Sequence, residues 1–388
     1  AGIASSGNGN ISLLSAGSQT YGANGDLSTG TASGTAGTLD LSAGTSITMD
    51  PQAVFTTDGG HQRLVTGPST DTTGAAATNA GGNITVGVLD ARVASDRNAS
   101  PQTLSSQVNW GSVAVVSYKA SILDNLGDAA TNVFARSLRL SAGTTTGDAI
   151  GASLQSFETE VSVISAVAGG AIYLREANGL RVGLTEQVTP MRVSRTGSLT
   201  AMGSGPRADI ESGSELVLEL DAGSLTLDDG DATPDGFAIT SGGNTLIRTA
   251  ATDGDIDVNA KIAVAGGGAA ALAGHLSIDA GHDLLIDADI TTAASAATID
   301  LVAAHDILQG GAVQGASVIS TNGDVALRAL GNISLETINA GTADVLVQAG
   351  GLITDGDLAD GVSSEVDILA GGLVLNTGTA GGVGTGTN

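Results

Sequence analysis

The sequence predicts an all-β protein built as a parallel β-helix (β-solenoid), in which short strands stack on one another. Three observations predict it: two short units recur, each unit alternates aliphatic and polar residues, and glycine fills 58 of 388 positions while aromatic residues make up 2%. An alternation of period two is typical of strands, and glycine interrupts every stretch long enough for a helix. A unit of roughly 20 residues cannot bury its own apolar face, but stacked copies can.

The first unit is Gly, then Asn or Asp, an aliphatic residue, any residue and another aliphatic residue. Copies occur at 9–13, 82–86, 254–258, 323–327 and 331–335, and variants with His before Asp begin at His282 and His305. In a stacked strand the aliphatic side chains point inward and the polar ones point to solvent. Glycine or Asn at the corners is expected to supply the positive φ of a tight bend.

The second unit is aliphatic-x-aliphatic-x-Ala-Gly. Its copies lie at 39–44, 138–143, 218–223, 276–281 and 345–350. The two units join at Gly281, where Ala280-Gly281-His282-Asp283 leads directly into the next strand. Each copy therefore predicts a strand of about three to five residues that ends in a glycine turn.

The segment from 91 to 137 does not fit the repeat and predicts a loop or hairpin insertion packed on the β-helix. It would divide the chain into N-terminal rungs at 1–90 and continued rungs at 138–388. Trp110 and Tyr118 lie in this segment. Because exposed aromatic residues favour interfaces, these two are the predicted partner-contact residues. The alternative is that the aromatic side chains cover a widened rung.

The charge is concentrated in the C-terminal part of the chain. The formal net charge is −26, with 11 basic and 14 acidic side chains up to residue 208 and three basic and 26 acidic from residue 209 onward. A surface this acidic repels nucleic acid, which needs clustered Lys and Arg. No apolar run approaches the length of a membrane span, and the absence of cysteine excludes a disulfide scaffold. We therefore expect neither a nucleic-acid partner nor membrane insertion.

The sequence requires no cofactor, but clusters of Asp residues make Ca²⁺ a candidate ligand. Ca²⁺ takes six to eight oxygen ligands, and short Asp/Gly loops supply several of them. The alternative is a solvated outward face, because alternate strand residues point to water. The first cluster is preferred because its acids lie in a loop. The seven candidate ligands are Asp228, Asp229, Asp231 and Asp235 in the first cluster and Asp253, Asp255 and Asp257 in the second.

A histidine pair is a second candidate metal site. His282 and His305 stand 23 positions apart at equivalent corners, so they are predicted to stack on adjacent rungs. Together with Asp283 and Asp306 they would offer the nitrogen and oxygen ligands that Zn²⁺ uses. The alternative is a ladder of exposed corner residues.

The repeat units resemble those of a known family. Gly331-Asn332-Ile333-Ser334-Leu335, Leu41-Ser42-Ala43-Gly44 and Ala280-Gly281-His282-Asp283-Leu284 are similar to motifs of filamentous-haemagglutinin-type exoproteins and of giant β-strand-repeat surface proteins. The resemblance implies a right-handed parallel β-helix at the surface of a Gram-negative bacterium. The Asn-Pro-Asn signatures of the family's secretion domain do not occur in this sequence, so the resemblance implies a shaft segment.

The function expected from these observations is structural or adhesive: a rigid extracellular β-helical shaft segment of a larger bacterial surface adhesin or filament. Its partners would be copies of itself or the surface of a host or neighbouring cell. The alternative is a carbohydrate-active β-helix enzyme or carbohydrate-binding module. Polysaccharide cleavage needs paired carboxylates, or a carboxylate with Lys or Arg, and the acidic part holds only three basic residues. We therefore expect no enzymatic activity.

Overall fold

The computed structural model describes residues 2–67, 81–97, 104–127, 130–194, 196–230, 236–266, 274–310, 315–356, 366–379 and 381–384. The chain forms two compact units. The first comprises Ala1–Asn178 and Leu184–Ala208, and the second comprises Gly179–Gly183 and Asp209–Asn388. Apart from residues 179–183, the second unit begins at residue 209, where the sequence becomes strongly acidic.

Nearly all regular structure in the described residues is strand. The first elements are β1 (Ile3–Ser5), β2 (Ile11–Ser15), β3 (Gln19–Tyr21), β4 (Leu27–Thr29), β5 (Thr31–Ala32), β6 (Thr35–Ala36), β7 (Leu39–Ala43), β8 (Ile47–Met49), β9 (Val54–Thr56), β10 (Gln62–Thr66), β11 (Ile84–Val86), β12 (Val88–Asp90), the helix α1 (Ala94–Arg97), a 3-10 helix (Leu104–Asn109), β13 (Val113–Ser117), β14 (Ile122–Asp124), β15 (Val133–Ser141), β16 (Phe157–Ala168), β17 (Ile172–Glu176), β18 (Leu180–Val182), β19 (Met191–Val193) and β20 (Leu199–Ala201). They are followed by β21 (Ile210–Ser212), β22 (Leu216–Leu220), β23 (Leu225–Leu227), β24 (Phe237–Ser241), β25 (Thr245–Thr249), β26 (Ile256–Val258), β27 (Lys261–Val264), β28 (Leu276–Ala280), β29 (Leu284–Ile286), β30 (Ile290–Thr292), β31 (Ile299–Ala303), β32 (Ile307–Gln309), β33 (Ser317–Ser320), β34 (Val325–Ala329), β35 (Ile333–Leu335), β36 (Thr337–Asn339), β37 (Asp344–Ala349), β38 (Ile353–Asp355), β39 (Ile368–Leu369) and β40 (Gly372–Thr377). None of the helices in these residues has the length and apolar character that crossing a membrane requires.

The second unit confirms the predicted parallel β-helix. Its strands form three columns, each a set of strands that stack in parallel, and one strand of each column makes up a rung. The columns are β22-β25-β28-β31-β34-β37-β40, β18-β23-β26-β29-β32-β35-β38 and β21-β24-β27-β30-β33-β36-β39. All quoted copies of the two repeat units within this unit lie on such strands.

Stacked aliphatic side chains fill the interior of the second unit. One inward position of the first column is aliphatic in six successive rungs, and each of its side chains is fully buried. These residues are Leu218, Ile247, Ile278, Leu301, Leu327 and Val347. Each buried side chain of this kind contributes roughly 1.5–3 kcal/mol, so small aliphatic residues suffice without an aromatic core.

The first unit is a parallel β-helix with the same three-column plan. The columns contain β2-β7-β10-β13-β15, β3-β8-β11-β14 and β1-β4-β9-β12-β15. The strand β15 belongs to two columns because it runs through a corner: Val133 pairs with Leu89, and Leu138 pairs with Val113.

The predicted insertion at 91–137 is narrower than the sequence indicated. The irregular segment lies between β12 and β13 and contains α1 and the 3-10 helix. The strand β13 stacks between β10 and β15, and β14 stacks on β11, so residues from 113 onward belong to the rungs. The strand β13 is therefore part of a rung, and Tyr118 lies in the turn that follows it.

A second segment outside the rungs, Leu184–Ala208, covers one face of the first unit, and the sequence did not predict it. This segment, called the arm below, contains the antiparallel pair β19–β20. It lies along the outward side of the first column: the Met191 amide donates to Thr38 Oγ1 at 2.9 Å, and Arg139 Nη1 donates to the Gly205 carbonyl at 2.6 Å. As a result every residue of β7 and β13 is buried, whereas strands of the second unit alternate between buried and more exposed positions.

The expected positive φ occurs at the motif glycine Gly223, but it does not explain the other motif glycines. The motif glycines Gly254, Gly281 and Gly350 do not have a positive φ. Instead, a Cβ at Gly281 would lie 1.9 Å from the Ala251 carbonyl oxygen, and one at Gly350 would lie 2.0 Å from that of Leu330. Glycine is needed there because the backbone of the preceding rung approaches too closely for a side chain.

The side chain of Glu176 is fully buried inside the first unit and has no basic partner among its hydrogen bonds. Its carboxylate oxygens accept hydrogen bonds from Thr159 Oγ1 at 2.6 Å and from the amides of Val161 and Asn178 at 3.1 and 3.2 Å. Burial raises the pKa of Glu176 well above its usual value, although these three hydrogen bonds oppose the shift. The Glu176 side chain thus accepts two backbone amides that would otherwise need a carbonyl partner. Its ionisation costs free energy because the charge is buried away from water.

We expect Glu176→Gln to stabilise the first unit at neutral pH. Because the pKa of Glu176 is raised in the folded state, its protonated carboxyl stabilises the first unit at pH values below the unfolded-state pKa. This contribution is lost as the pH rises through the folded-state pKa. The advantage of the variant should therefore grow from pH 5 to pH 8, by up to about 1.4 kcal/mol per pH unit below the folded-state pKa. Urea unfolding monitored by Trp110, the single tryptophan, measures it. Glu219→Gln on an outward position is the control, and an advantage independent of pH would contradict the prediction.

Candidate functional site

A line of Asp and Asn side chains joins successive rungs at one corner of the second unit. Each residue directly precedes a strand of the β23-to-β38 column, and its side-chain oxygen accepts the backbone amide of the equivalent residue one rung further on. Asp255 Oδ1 accepts the Asp283 amide at 3.1 Å, and Asp283 Oδ1 accepts the Asp306 amide at 2.9 Å. Asp306 accepts the Asn332 amide, and Asn332 accepts the Leu352 amide. The Gly-Asn/Asp motif is therefore explained by a ladder of side-chain-to-backbone hydrogen bonds.

His282 and His305 stack at this corner, as the sequence predicted. Their ring centroids are 4.7 Å apart and their planes differ by 6°. The Nδ1 atom of His282 lies 2.8 Å from Asp255 Oδ1, and that of His305 lies 2.7 Å from Asp283 Oδ1. A carboxylate only accepts hydrogen bonds, so each Nδ1 carries the proton and donates it. Each carboxylate thus binds both the amide and the imidazole of the next rung.

The electrostatics of this corner favour a positive charge. Partial burial would raise the pKa of the Asp283 carboxyl, but the Asp306 amide and the two imidazoles together hold it below its usual value. The hydrogen bond to Asp283 and the charge of Asp306 raise the pKa of the exposed His305. Three carboxylates, of Asp255, Asp283 and Asp306, therefore surround two imidazoles.

The first predicted calcium cluster is only partly described, because Asp231 and Asp235 lie outside the described residues. The Asp228 carboxylate is engaged by other side chains: Oδ2 pairs with Arg181 Nε at 2.5 Å, and Oδ1 accepts from Asn259 Nδ2 at 2.9 Å. Asp229 Oδ2 accepts the Gly236 amide at 2.9 Å. The carboxylates of Asp228 and Asp229 are therefore engaged in an ion pair and in hydrogen bonds to neighbouring residues.

The second predicted calcium cluster is spread over different environments. Asp253 is exposed in the turn before β26, and Asp255 belongs to the corner ladder. Asp257 points outward from β26, where burial and the charges of Asp255, Asp287 and Asp228 raise its pKa. Among the described residues, the one group of three or more side chains with ligand atoms close enough for a metal is His282, Asp283 and His305.

The two predicted partner-contact residues have opposite exposures. Trp110 is buried, and its Nε1 donates to Asp96 Oδ2 at 2.7 Å, so the prediction that it contacts a partner is wrong. The ring packs instead within the insertion, where Arg92 lies over both Trp110 and Phe134. Tyr118 is exposed and remains available for contact.

A groove of about 550 Å³ in the first unit runs between the β5–β6 hairpin and the insertion. Its described lining contains one carboxylate, Asp58, and no aromatic side chain. Asp58 Oδ1 already accepts the Ala94 amide at 2.6 Å. The groove therefore lacks the paired carboxylates that glycoside hydrolysis uses.

Sequence reasoning missed the buried ion-pair network under the arm. Asp40 Oδ1 lies 2.8 Å from Arg63 Nη1, and Asp40 Oδ2 lies 2.7 Å from Arg192 Nε. Asp40 occurs in a copy of the second repeat unit, where its position predicts an outward, solvated side chain. The sequence offers one indication of the arm: the repeat units are absent between Pro190 and Pro206.

Comparisons with known proteins give no further information about this site. No family model, no curated protein and no solved structure matches the chain.

Proposed function

We propose that this chain is a structural module: a β-helical shaft segment of a larger extracellular adhesin or filament at a bacterial surface. The support comes from the way successive rungs are joined, by parallel strands, stacked aliphatic residues and side-chain ladders at the corners. This arrangement is repeated from rung to rung along the second unit. It stiffens the chain along the stacking direction, which is what a shaft requires.

The observation that carries the proposal is the uncovered interior at the last strand of the second unit. Val345 and Val347 are buried, with exposures of 1% and 0%, but their partners in the next rung, Leu373 and Leu375, are 48% and 37% exposed. No described residue covers these inward positions. An open strand edge with apolar inward residues is a template for another rung. We infer that a further rung of the same kind stacks on this edge, and the experiment below asks whether a second copy of this chain can supply it.

The acidic charge favours stacking over side-by-side association. From residue 209 onward there are 26 acidic and three basic side chains, so two such surfaces repel each other when they lie in parallel. The same charge keeps an extracellular shaft dispersed laterally.

The proposal is tested by self-association of the purified chain. We expect light scattering and electron micrographs to show linear assemblies that lengthen with concentration. Leu373→Lys places a charge on the open interior and should leave monomers. Leu330→Lys is the matched control, because Leu330 is 77% exposed but lies at a corner away from the last strand. Dispersed wild-type monomers at high concentration, or equal effects of the two variants, would refute the proposal.

A further inference from the structure

We propose that His282, Asp283 and His305 form a binding site for one divalent transition-metal ion, with Zn²⁺ as the best match. One ligand atom from each side chain lies within 4.8 Å of the other two. The site is independent of assembly, because all three residues belong to consecutive corners within the second unit.

The Asp283 carboxylate lies between the two imidazoles. Its Oδ1 is 2.7 Å from His305 Nδ1, and its Oδ2 is 3.3 Å from His282 Nδ1. Zinc bonds of about 2.0–2.1 Å in a tetrahedral arrangement place neighbouring ligand atoms about 3.4 Å apart. The distance from Asp283 Oδ2 to His282 Nδ1 is already close to this value. The distance from Asp283 Oδ1 to His305 Nδ1 must lengthen by about 0.7 Å. The metal would take the place of the hydrogen bond between His305 and Asp283 and of the one between His282 and Asp255.

The remaining adjustment is the approach of the two imidazoles. Their centroids are 4.7 Å apart, which is the spacing of adjacent rungs. Both side chains are substantially exposed, so rotation about their own bonds can bring the nitrogens together without moving the backbone. The site is therefore nearly formed, and its closure involves side chains at the surface.

The donor set selects the kind of metal. Two imidazole nitrogens and one carboxylate suit Zn²⁺, Cu²⁺ and Ni²⁺, whereas Ca²⁺ takes oxygen ligands only. Asp255 and Asp306 flank the group, so the local potential attracts cations. A transition metal should bind here in preference to the calcium expected for the acidic loops.

The chain offers an internal control in His275, which lies at a corner of another column. Its Nδ1 accepts the Thr298 amide at 3.1 Å and contacts Thr298 Oγ1 at 2.9 Å. It does not belong to the group of potential ligands. Since the chain has only four histidines, the imidazole signals can be resolved by NMR.

The test is a titration of the chelator-treated full chain with Zn²⁺, followed by calorimetry, thermal unfolding and imidazole NMR. We expect one equivalent to bind, Tm to rise, and two imidazole signals to shift together. His282→Gln, Asp283→Asn and His305→Gln should each weaken binding at least tenfold, whereas His275→Gln should bind as the wild type does. Unchanged circular dichroism of the metal-free variants shows that they fold.

Three results would overturn the site. The first is the absence of any Zn²⁺-dependent change in the wild-type chain. The second is an equal loss of binding in His275→Gln, which would indicate a diffuse effect of histidines. The third is an equal rise in Tm with Ca²⁺ at the same concentration, which would assign the effect to the acidic surface.

Discussion

Asp40→Ala is expected to lower the free energy of unfolding of the first unit by about 3–5 kcal/mol and to release the arm. The Asp40 carboxylate is fully buried between the guanidinium groups of Arg63 and Arg192, and Arg192 is itself buried. Without the carboxylate, two positive charges face each other where water has little access. The loss is large because uncompensated buried charge remains, rather than because the ion pairs are intrinsically strong.

Two measurements check the Asp40 prediction. Urea unfolding followed by Trp110 fluorescence reports on the first unit, which contains this residue. Limited trypsin digestion reports on the arm, since Arg192 is buried in the native chain and becomes a cleavage site once the arm detaches. We expect cleavage within the arm under conditions that leave the wild-type chain intact.

The control is an exposed ion pair between the arm and β15. Arg136 and Glu186 lie 3.2 Å apart, and both side chains are close to half exposed. Glu186→Gln should cost less than about 1 kcal/mol, because exposed ion pairs contribute little. Replacing Asp40, Arg63 and Arg192 together with Leu, Met and Met should recover most of the lost stability. If Asp40→Ala and Glu186→Gln had the same effect, the buried network would not hold the arm.

The Asp40 environment shows where prediction from the sequence ends. Leu39-Asp40-Leu41 and Ile278-Asp279-Ala280 have the same alternation, and both were expected to present the acid to solvent. The Asp279 side chain is 43% exposed, whereas that of Asp40 is 0% exposed. Alternation determines which side chains point outward, and it contains no information on whether a distant segment covers them. The strands and the aliphatic interior were therefore predictable, but the arm and its ion pairs were not.

The corner motif was found in the sequence, but its physical cause came from the structure. Glycine or Asn was expected to supply a positive φ at the corners, yet Asp255, Asp283 and Asn332 act by accepting amides of the following rung. The stacking of His282 and His305 followed from their spacing of 23 residues, because equivalent corners of adjacent rungs must lie together. Which carboxylate lies between the rings depends on side-chain conformations, and spacing does not specify them.

Gly281→Ala is expected to destabilise the second unit by about 3 kcal/mol or more, at the upper end of the cost of overpacking. The added Cβ would lie 1.9 Å from the Ala251 carbonyl oxygen and 2.8 Å from its carbon, so backbone in one of the two rungs must shift. Ala251 belongs to a six-residue turn between β25 and β26, and this turn passes over Gly281. Because the hydrogen bond from the Asp283 amide to Asp255 Oδ1 spans the same corner, the shift should also weaken it.

Ala304 provides the matched control, since it holds the same turn position one rung further on and is exposed. Ala304→Gly should change stability by only about 0.4–1 kcal/mol, through the greater freedom of the unfolded chain. Hydrogen exchange read by mass spectrometry locates the effect: Gly281→Ala should speed exchange in β26, β28 and β29 and leave the first unit unchanged. A Gly281→Ala chain as stable as Ala304→Gly would mean that the rungs separate easily at this corner. The stack would then be held by its aliphatic interior, and the close backbone approach would contribute little.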